Sequence, residues 1–244
     1  MTCAKTILGE LHALASPERA RGMQHFFKTG PGEYGEGDCF LGISVPLART
    51  VVRRHKALVA PEELGALLAS PWHEARFVAL VLITEHSLRA DDAGRRMWAD
   101  FYLEHRAGVN NWDLVDVSAP QVLGSVACDD PKILWILARS GNLWDERMAM
   151  LATFFDIRRG RFDLTLALAE HFIGNRQDLM HKAAGWLLRE TGKRDEGTLR
   201  AFLNAHASVM PRTMLRYAIE KFEPEERKHF LKFGTGKTAA PQRD

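Results

Sequence analysis

The chain has 244 residues, of which 46% are hydrophobic and 26% are charged, and its formal net charge at pH 7 is +2. This composition excludes a disordered or collagen-like protein, and the length is sufficient for a substantial hydrophobic core. Because bases and acids nearly balance, net charge alone does not indicate a nucleic-acid partner.

The cysteines are three in number and far apart in the chain: Cys3, Cys39 and Cys128. This odd, scattered set fits neither a disulfide framework nor a paired cysteine metal site, so it favours a reducing compartment. No apolar run is long enough to span a membrane, and the N-terminus lacks the apolar block of a signal peptide. We therefore expect a cytoplasmic protein without a membrane partner.

The predicted elements are helices. Apolar residues recur at helical spacing through several stretches, and proline follows a residue that suits a helix start at five places. Neither an alternating strand pattern nor an Asn-Gly hairpin turn is present, so the sequence predicts an all-α fold. The predicted starts are Ser16-Pro17, Ala60-Pro61, Ser70-Pro71, Asp130-Pro131 and Glu223-Pro224.

A glycine-rich stretch from Lys28 to Asp38 interrupts the helical pattern. Its Gly30, Gly32 and Gly35 match the Gly-x-Gly-x-x-Gly string of dinucleotide sites. No strand precedes it, and its acidic residues would repel a pyrophosphate, so we reject that interpretation. The stretch is predicted to be a structural loop or a mobile lid.

Three segments resemble one another and suggest a repeat. Each has a bulky residue, then a base, then an apolar helix, and the bases Arg76, Arg147 and Lys182 occupy equivalent places. Their spacing fits a period of about 35 residues, which is typical of helical-pair repeats and predicts a further unit near Trp112. The alternative is a set of similar helices without repeat architecture. The repeat predicts a HEAT-like solenoid, an α-α superhelix with a concave face, in one domain over residues 1–233 followed by a disordered tail over 234–244.

Two positions in this repeat could carry chemistry. Trp112 and Asp116 are four residues apart and share one face of a helix, and Asp116 occupies the place that Trp186 occupies in a neighbouring repeat. The alternative is that both tryptophans belong to the core and that Asp113 or Asp116 is a helix-terminal acid. The sequence contains no His-Glu-x-x-His pattern, no Gly-x-Ser-x-Gly elbow and no Walker-type loop, so no metal or cofactor is predicted.

At these residues the chain resembles the DNA alkylation repair family, which comprises HEAT-like-repeat DNA glycosylases. The resemblance spans most of the chain, in order and at the repeat spacing. It is carried by Phe40-Leu-Gly-Ile43, Trp112-Asp-Leu-Val-Asp116, Asn142-Leu-Trp144 with Arg147, and Lys182-Ala-Ala-Gly-Trp186 with Glu190.

The resemblance implies an enzyme of base excision repair that removes positively charged alkylated purines, such as N3-methyladenine or N7-methylguanine, from duplex DNA. It implies that Asp116 stabilises the cationic sugar left by the departing base, while Trp112 and Trp186 contact the lesion. The residues expected to hold the DNA on the concave face are Phe26, Arg76, Arg147, Lys182 and Arg189.

Two features depart from the family pattern. Phe26 stands where the family's cleft has a tyrosine, and the Gly30–Asp38 loop lengthens the connection beside the cleft. Relatives in this family have lost excision and retain DNA binding, so a non-catalytic binder of damaged or branched DNA is the alternative function. A scaffold for protein partners would explain the repeats only. We expect a monomer that associates with the nucleoid of the bacterial cytoplasm.

Overall fold

The computed structural model describes residues 3–56, 59–128 and 130–233. Over these ranges the regular structure is helical, and the extended backbone pairing is limited to one isolated bridge between Cys39 and Trp72. The predicted all-α fold is therefore confirmed. The predicted disordered tail, residues 234–244, lies outside the described residues.

The chain divides into two compact units, Met1–Val126 and Ala127–Asp244, with α8 at the division. The prediction of a single repeat domain over residues 1–233 stays a prediction. The helices of the first unit are α1 (Cys3–Ala13), α2 (Pro17–Phe26), α3 (Val45–His55), α4 (Pro61–Leu68), α5 (His73–Arg89), α6 (Asp92–Glu104), α7 (Trp112–Val122) and α8 (Gly124–Ala127). Those of the second are α9 (Lys132–Ala138), α10 (Leu143–Ala152), α11 (Phe154–Ile157), α12 (Asp163–His171), α13 (Asp178–Gly192), α14 (Glu196–His206), α15 (Arg212–Ala218) and α16 (Pro224–Phe233).

Proline marks the start of several helices as predicted. Helices α2, α4 and α16 begin at Pro17, Pro61 and Pro224, where the missing N–H would have no partner within the helix. The start predicted at Ser70-Pro71 is wrong by two residues, because the next residues are extended and bridge to Cys39 before α5 begins at His73.

Helix α5 lies at the centre of the first unit. Its residues from His73 to Ile83 are buried on every side, so it behaves as a core helix rather than as a surface helix. Helices α3, α4 and α7 pack against it. Helix α7 packs along α5 with its buried residues, and its remaining residues, among them Trp112 and Asp116, are half-buried.

Helix α13 has the same place in the second unit, where α10, α12, α14 and α15 pack against it. Gly185 allows the close approach of α15, because a Cβ atom there would lie 2.4 Å from the carbonyl oxygen of Met214. Helices α5, α7, α10 and α13 begin at intervals of about 35 residues, in agreement with the predicted helical repeat. No described helix is both long and apolar enough to cross a membrane.

Candidate functional site

In the first unit, the N-terminus of α7 brings together the predicted Trp112 and Asp116. Asn111 is the N-cap, and its side chain accepts a hydrogen bond from the Trp112 backbone N–H at 2.9 Å. Leu114 and Val115 are buried, whereas Trp112, Asp116 and Asp113 are half-buried. The indole and the carboxylate of the prediction thus lie one turn apart on the same side of one helix.

The Trp112 indole belongs to an aromatic cluster. It stacks on Phe27 with ring centroids 5.3 Å apart and an interplanar angle of 16°. Phe26 approaches edge-on at 6.0 Å and is 62% exposed at the end of α2. An exposed aromatic ring beside a half-buried indole offers unpaired bases a surface for stacking.

A buried charge network lies behind this cluster. His73, the first residue of α5, donates from Nδ1 to Asp38 at 2.8 Å and from Nε2 to Asp113 at 2.9 Å. Arg76 forms a short ion pair with Asp38 and donates to the carbonyl of Ser70 at 2.8 Å. The network therefore joins the end of the glycine-rich loop, α5 and the first turn of α7.

The ionisation of this network follows from its geometry. Burial disfavours the charged form of His73, but hydrogen bonds to Asp113 and Asp38 and their negative charges raise its pKa to about 9. Burial would raise the pKa of Asp38, but the hydrogen bond and charge of His73, together with Arg76, lower it below its usual value. At neutral pH His73 is an imidazolium between two carboxylates.

The network bears on two sequence-based predictions, one for Arg76 and one for the glycine-rich stretch. The expectation that Arg76 grips a DNA phosphate stays a prediction, and in the structure its guanidinium is buried and bound by Asp38 and Ser70. Of the two interpretations of the glycine-rich stretch, this geometry favours the structural loop. Asp38 is buried at its end, and a Cβ atom on Gly35 would lie 2.5 Å from the carbonyl oxygen of Phe27.

In the second unit, Trp186 lies half-buried on α13 together with Lys182 and Arg189. Its indole Nε1 donates a hydrogen bond to Glu190 at 3.2 Å. Phe154 is the ring neighbour of Trp186, with centroids 5.9 Å apart and planes tilted by 42°.

The bases predicted to bind DNA in this unit have acidic or carbonyl partners. Lys182 pairs with Asp178 at 2.7 Å, and Arg189 pairs with Glu190 at 3.4 Å and with Glu220. Arg147 is only 5% exposed and donates to the carbonyl of Leu179 at 2.8 Å. Arg147 therefore holds the first turn of α13, and its predicted phosphate contact stays a prediction.

The sequence analysis missed two features of the site. The first is the contact of His73 with Asp38 and Asp113, because one histidine among ten has no distinguishing spacing and Asp38 lies on a loop far away in the sequence. The second is Arg158, whose guanidinium lies 4.5 Å from the Phe154 ring centroid. The basic cluster Arg158-Arg159 was visible in the sequence, but its contact with the ring beside Trp186 was not. Among the described residues, no group of three or more His, Cys, Asp and Glu side chains is arranged to hold a metal ion.

Comparisons with known proteins identify a family and a fold. The model of a family described as "DNA alkylation repair enzyme" matches residues 7–222. A solved structure, a predicted DNA alkylation repair enzyme from Enterococcus faecalis, is similar with a TM-score of 0.68 and 18% sequence identity. The similarity covers 86% of this chain and 97% of that one, and at this identity it establishes the fold alone. No curated protein matches the chain in sequence.

Proposed function

The chain belongs to the DNA alkylation repair enzyme family and so has a role in the repair of alkylated DNA, and from this premise we propose that it is a DNA glycosylase. Its substrates are positively charged alkylated purines in duplex DNA, such as N3-methyladenine and N7-methylguanine. The cytoplasm with its nucleoid is the compartment in which we propose that it acts, as a monomer and without a metal or cofactor.

The observation that carries the proposal is the surface formed at the N-terminus of α7. Trp112 has one ring face covered by Phe27, while Phe26 beside it is exposed. Asp116 lies one turn farther along on the same side. An electron-rich indole attracts a cationic base, and a carboxylate one turn away suits the positive charge that develops on the sugar.

The proposed reaction is a hydrolysis of the N-glycosidic bond. This bond breaks with both electrons passing to the purine, whose positive charge is thereby neutralised. The positive charge moves to the deoxyribose, where the Asp116 carboxylate stabilises it. A water oxygen then bonds to C1′ and its proton passes to solvent, leaving an abasic site and a neutral free base. The alkyl group makes the base a good leaving group, so no acid is needed to protonate it.

In the second unit, Lys182, Arg189 and Arg158 are the bases that we propose to contact phosphates, near the indole of Trp186. The first two would exchange their carboxylate partners for phosphate oxygens. Such an exchange costs little for Lys182 because an ion pair exposed to water contributes at most about 1 kcal/mol. We leave Arg76 out of the proposed DNA-binding set because it is buried in the network around Asp38.

One observation favours the second candidate function, a non-catalytic binder of damaged or branched DNA. Phe26 stacks without a hydroxyl group, so it can retain an unpaired base but cannot donate a hydrogen bond to a reacting one.

Base release decides between the two functions. The full-length protein is incubated with a duplex that contains N7-methylguanine, and the free base is quantified by mass spectrometry against protein-free and unmethylated duplexes. Release above the spontaneous rate supports the glycosylase. Retention of the duplex in a gel without release overturns the glycosylase and supports the binder.

A further inference from the structure

The first turn of α7 is held by partners on both sides of Trp112. Before it in the chain, the Asn111 side-chain amide donates to Asp38 at 3.3 Å. After it, the Asp113 carboxylate accepts from His73 at 2.9 Å. The two residues that flank Trp112 are thus attached to groups that lie 73 and 40 residues away in the chain.

His73 can serve both carboxylates only as a cation. Each ring nitrogen faces a carboxylate oxygen, and a carboxylate only accepts hydrogen bonds, so both nitrogens must carry a proton. A neutral ring would turn a lone pair toward Asp38 or toward Asp113. Because His73 is 2% exposed, water could not replace the lost bond at low cost.

The positive charge of His73 offsets the negative charges around it. Asp38 from the glycine-rich loop and Asp113 from α7 face the ring, and Arg76 from α5 pairs with the other oxygen of Asp38. The neighbouring Glu74 carboxylate accepts hydrogen bonds from the backbone N–H groups of residues 41–43. In direct ion pairs, two carboxylates stand against one imidazolium and one guanidinium, and buried Glu74 adds a further negative charge beside them. Deprotonation of His73 would increase this buried excess of negative charge.

The His73 ring also shares its aromatic neighbours with Trp112. It stacks on Phe40 with centroids 4.4 Å apart and lies 5.1 Å from Phe27, and Phe27 stacks on Trp112. A displacement of His73 therefore reaches the indole by two routes, through the hydrogen bonds of α7 and through the ring stack.

We propose that His73 is a positioning residue for the reaction at Trp112: its two hydrogen bonds hold Asp38 and Asp113, and these fix the α7 turn that aims the indole and the Asp116 carboxylate. This inference rests on the proposed function of Trp112 and Asp116. Displacing a catalytic group by about 1 Å is enough to slow a reaction by roughly 100-fold. His73 itself, buried behind the aromatic cluster, touches no substrate.

The effect of His73 on the position of Trp112 can be tested by a measurement that does not require enzymatic activity. The full chain is labelled with 5-fluorotryptophan, and the Trp112 fluorine resonance is assigned by its loss in Trp112→Phe. Between pH 7 and 10 this resonance should shift with a midpoint near 9, the pKa of His73. Trp98 provides an internal reference. It stacks on His86, and burial and Arg89 lower the pKa of His86, so this histidine does not titrate between pH 7 and 10. Circular dichroism on the same samples confirms that the helices persist.

Two variants separate positioning from a general pH effect. In His73→Gln the midpoint near pH 9 should vanish, and in Asp113→Asn, where one charge that favours the imidazolium is lost, it should move to lower pH. His86→Gln is the matched control on the same helix and should leave the midpoint unchanged. A Trp112 resonance that is constant in the wild type, or that shifts equally in His73→Gln, would overturn the proposal.

Activity gives the second readout. His73→Gln should lower the single-turnover rate of N7-methylguanine release at least tenfold while the duplex Kd stays within about twofold, because the phosphate contacts are untouched. An unchanged rate in folded His73→Gln would also overturn the proposal. If the wild type releases no base, the proposed glycosylase function fails, and the fluorine titration still decides whether His73 positions Trp112.

Discussion

Glu190 accepts a hydrogen bond from the indole Nε1 of Trp186 at 3.2 Å and at the same time pairs with Lys193 at 2.7 Å and with Arg189 at 3.4 Å. Burial would raise the pKa of Glu190, but the hydrogen bond from Lys193, with the charges of Lys193 and Arg189, lowers it. One carboxylate thus orients the tryptophan and pairs with two bases beside it.

Replacing Glu190 with Gln should strengthen duplex binding. The amide oxygen still accepts from Trp186, but Lys193 loses its pairing with Glu190 and Arg189 keeps only Glu220 of its two carboxylate partners, so both bases become more available to phosphates. We expect a severalfold tighter Kd and a steeper dependence on salt, by about one phosphate contact. Fluorescence anisotropy at several salt concentrations measures both quantities. The control is Glu196→Gln, which removes an ion pair between Glu196 and Arg200 within α14. Equal affinities for the wild type and Glu190→Gln would exclude these bases from the interface.

Replacing Asp116 with Asn tests the proposed chemistry. The change keeps the side-chain shape and removes the charge, so base release should fall by roughly 100-fold or more. Affinity for intact duplex should hold or rise slightly because one repulsive charge is gone. Asp100→Asn, an exposed carboxylate of α6 in the same unit, is the control. If Asp116 merely anchors its helix, the variant should instead lose about 1 kcal/mol of stability, and its rate should recover at low temperature.

The network around His73 predicts how stability depends on pH. A pKa raised from 6.5 to about 9 means that the folded state holds the proton more tightly than the unfolded chain does. The stabilisation, about 3 kcal/mol, is complete below pH 6.5 and is lost as the pH rises through 9. Urea unfolding at a series of pH values measures this loss. His73→Gln should flatten the curve between pH 6.5 and 9, and a decline that persists in this variant would assign it to other groups.

Two glycine substitutions should change the stability of the fold in opposite directions. Gly35→Ala would place a Cβ atom 2.5 Å from the Phe27 carbonyl oxygen, so we expect a loss of at least about 1 kcal/mol. Gly22 lies inside α2 with no neighbour within 4 Å of the added atom, so Gly22→Ala should stabilise by up to about 1 kcal/mol. Thermal unfolding of both variants measures the difference. If Gly35→Ala is as stable as the wild type, the loop is not packed as described.

The fold was largely predictable because its signals are local. Proline at a helix start and apolar residues at helical spacing act within one element, and Pro17, Pro61 and Pro224 begin helices as predicted. The repeat could be recognised because the same local pattern recurs along the chain.

The candidate site was predictable only for those residues that lie on one helix. Trp112 and Asp116 share a helix, so their spacing was enough to place them on the same side. The network was hidden because Asp38, His73 and Asp113 meet only through tertiary packing. The same packing buries Arg76 and Arg147, which sequence alone indicates as surface bases because arginine is seldom buried.

The bonds of Asp38 to His73 and Asn111 span 35 and 73 residues of chain, and this length has a consequence for biosynthesis. A nascent chain that ends before Asn111 has already made the Asp38 and Arg76 side chains but not the α7 turn that completes their surroundings. The first unit can therefore reach its final packing only after α7 has left the ribosome, and contacts of such long range form slowly. A translational pause before residue 111 would expose the unfinished core around α5 to proteases and chaperones.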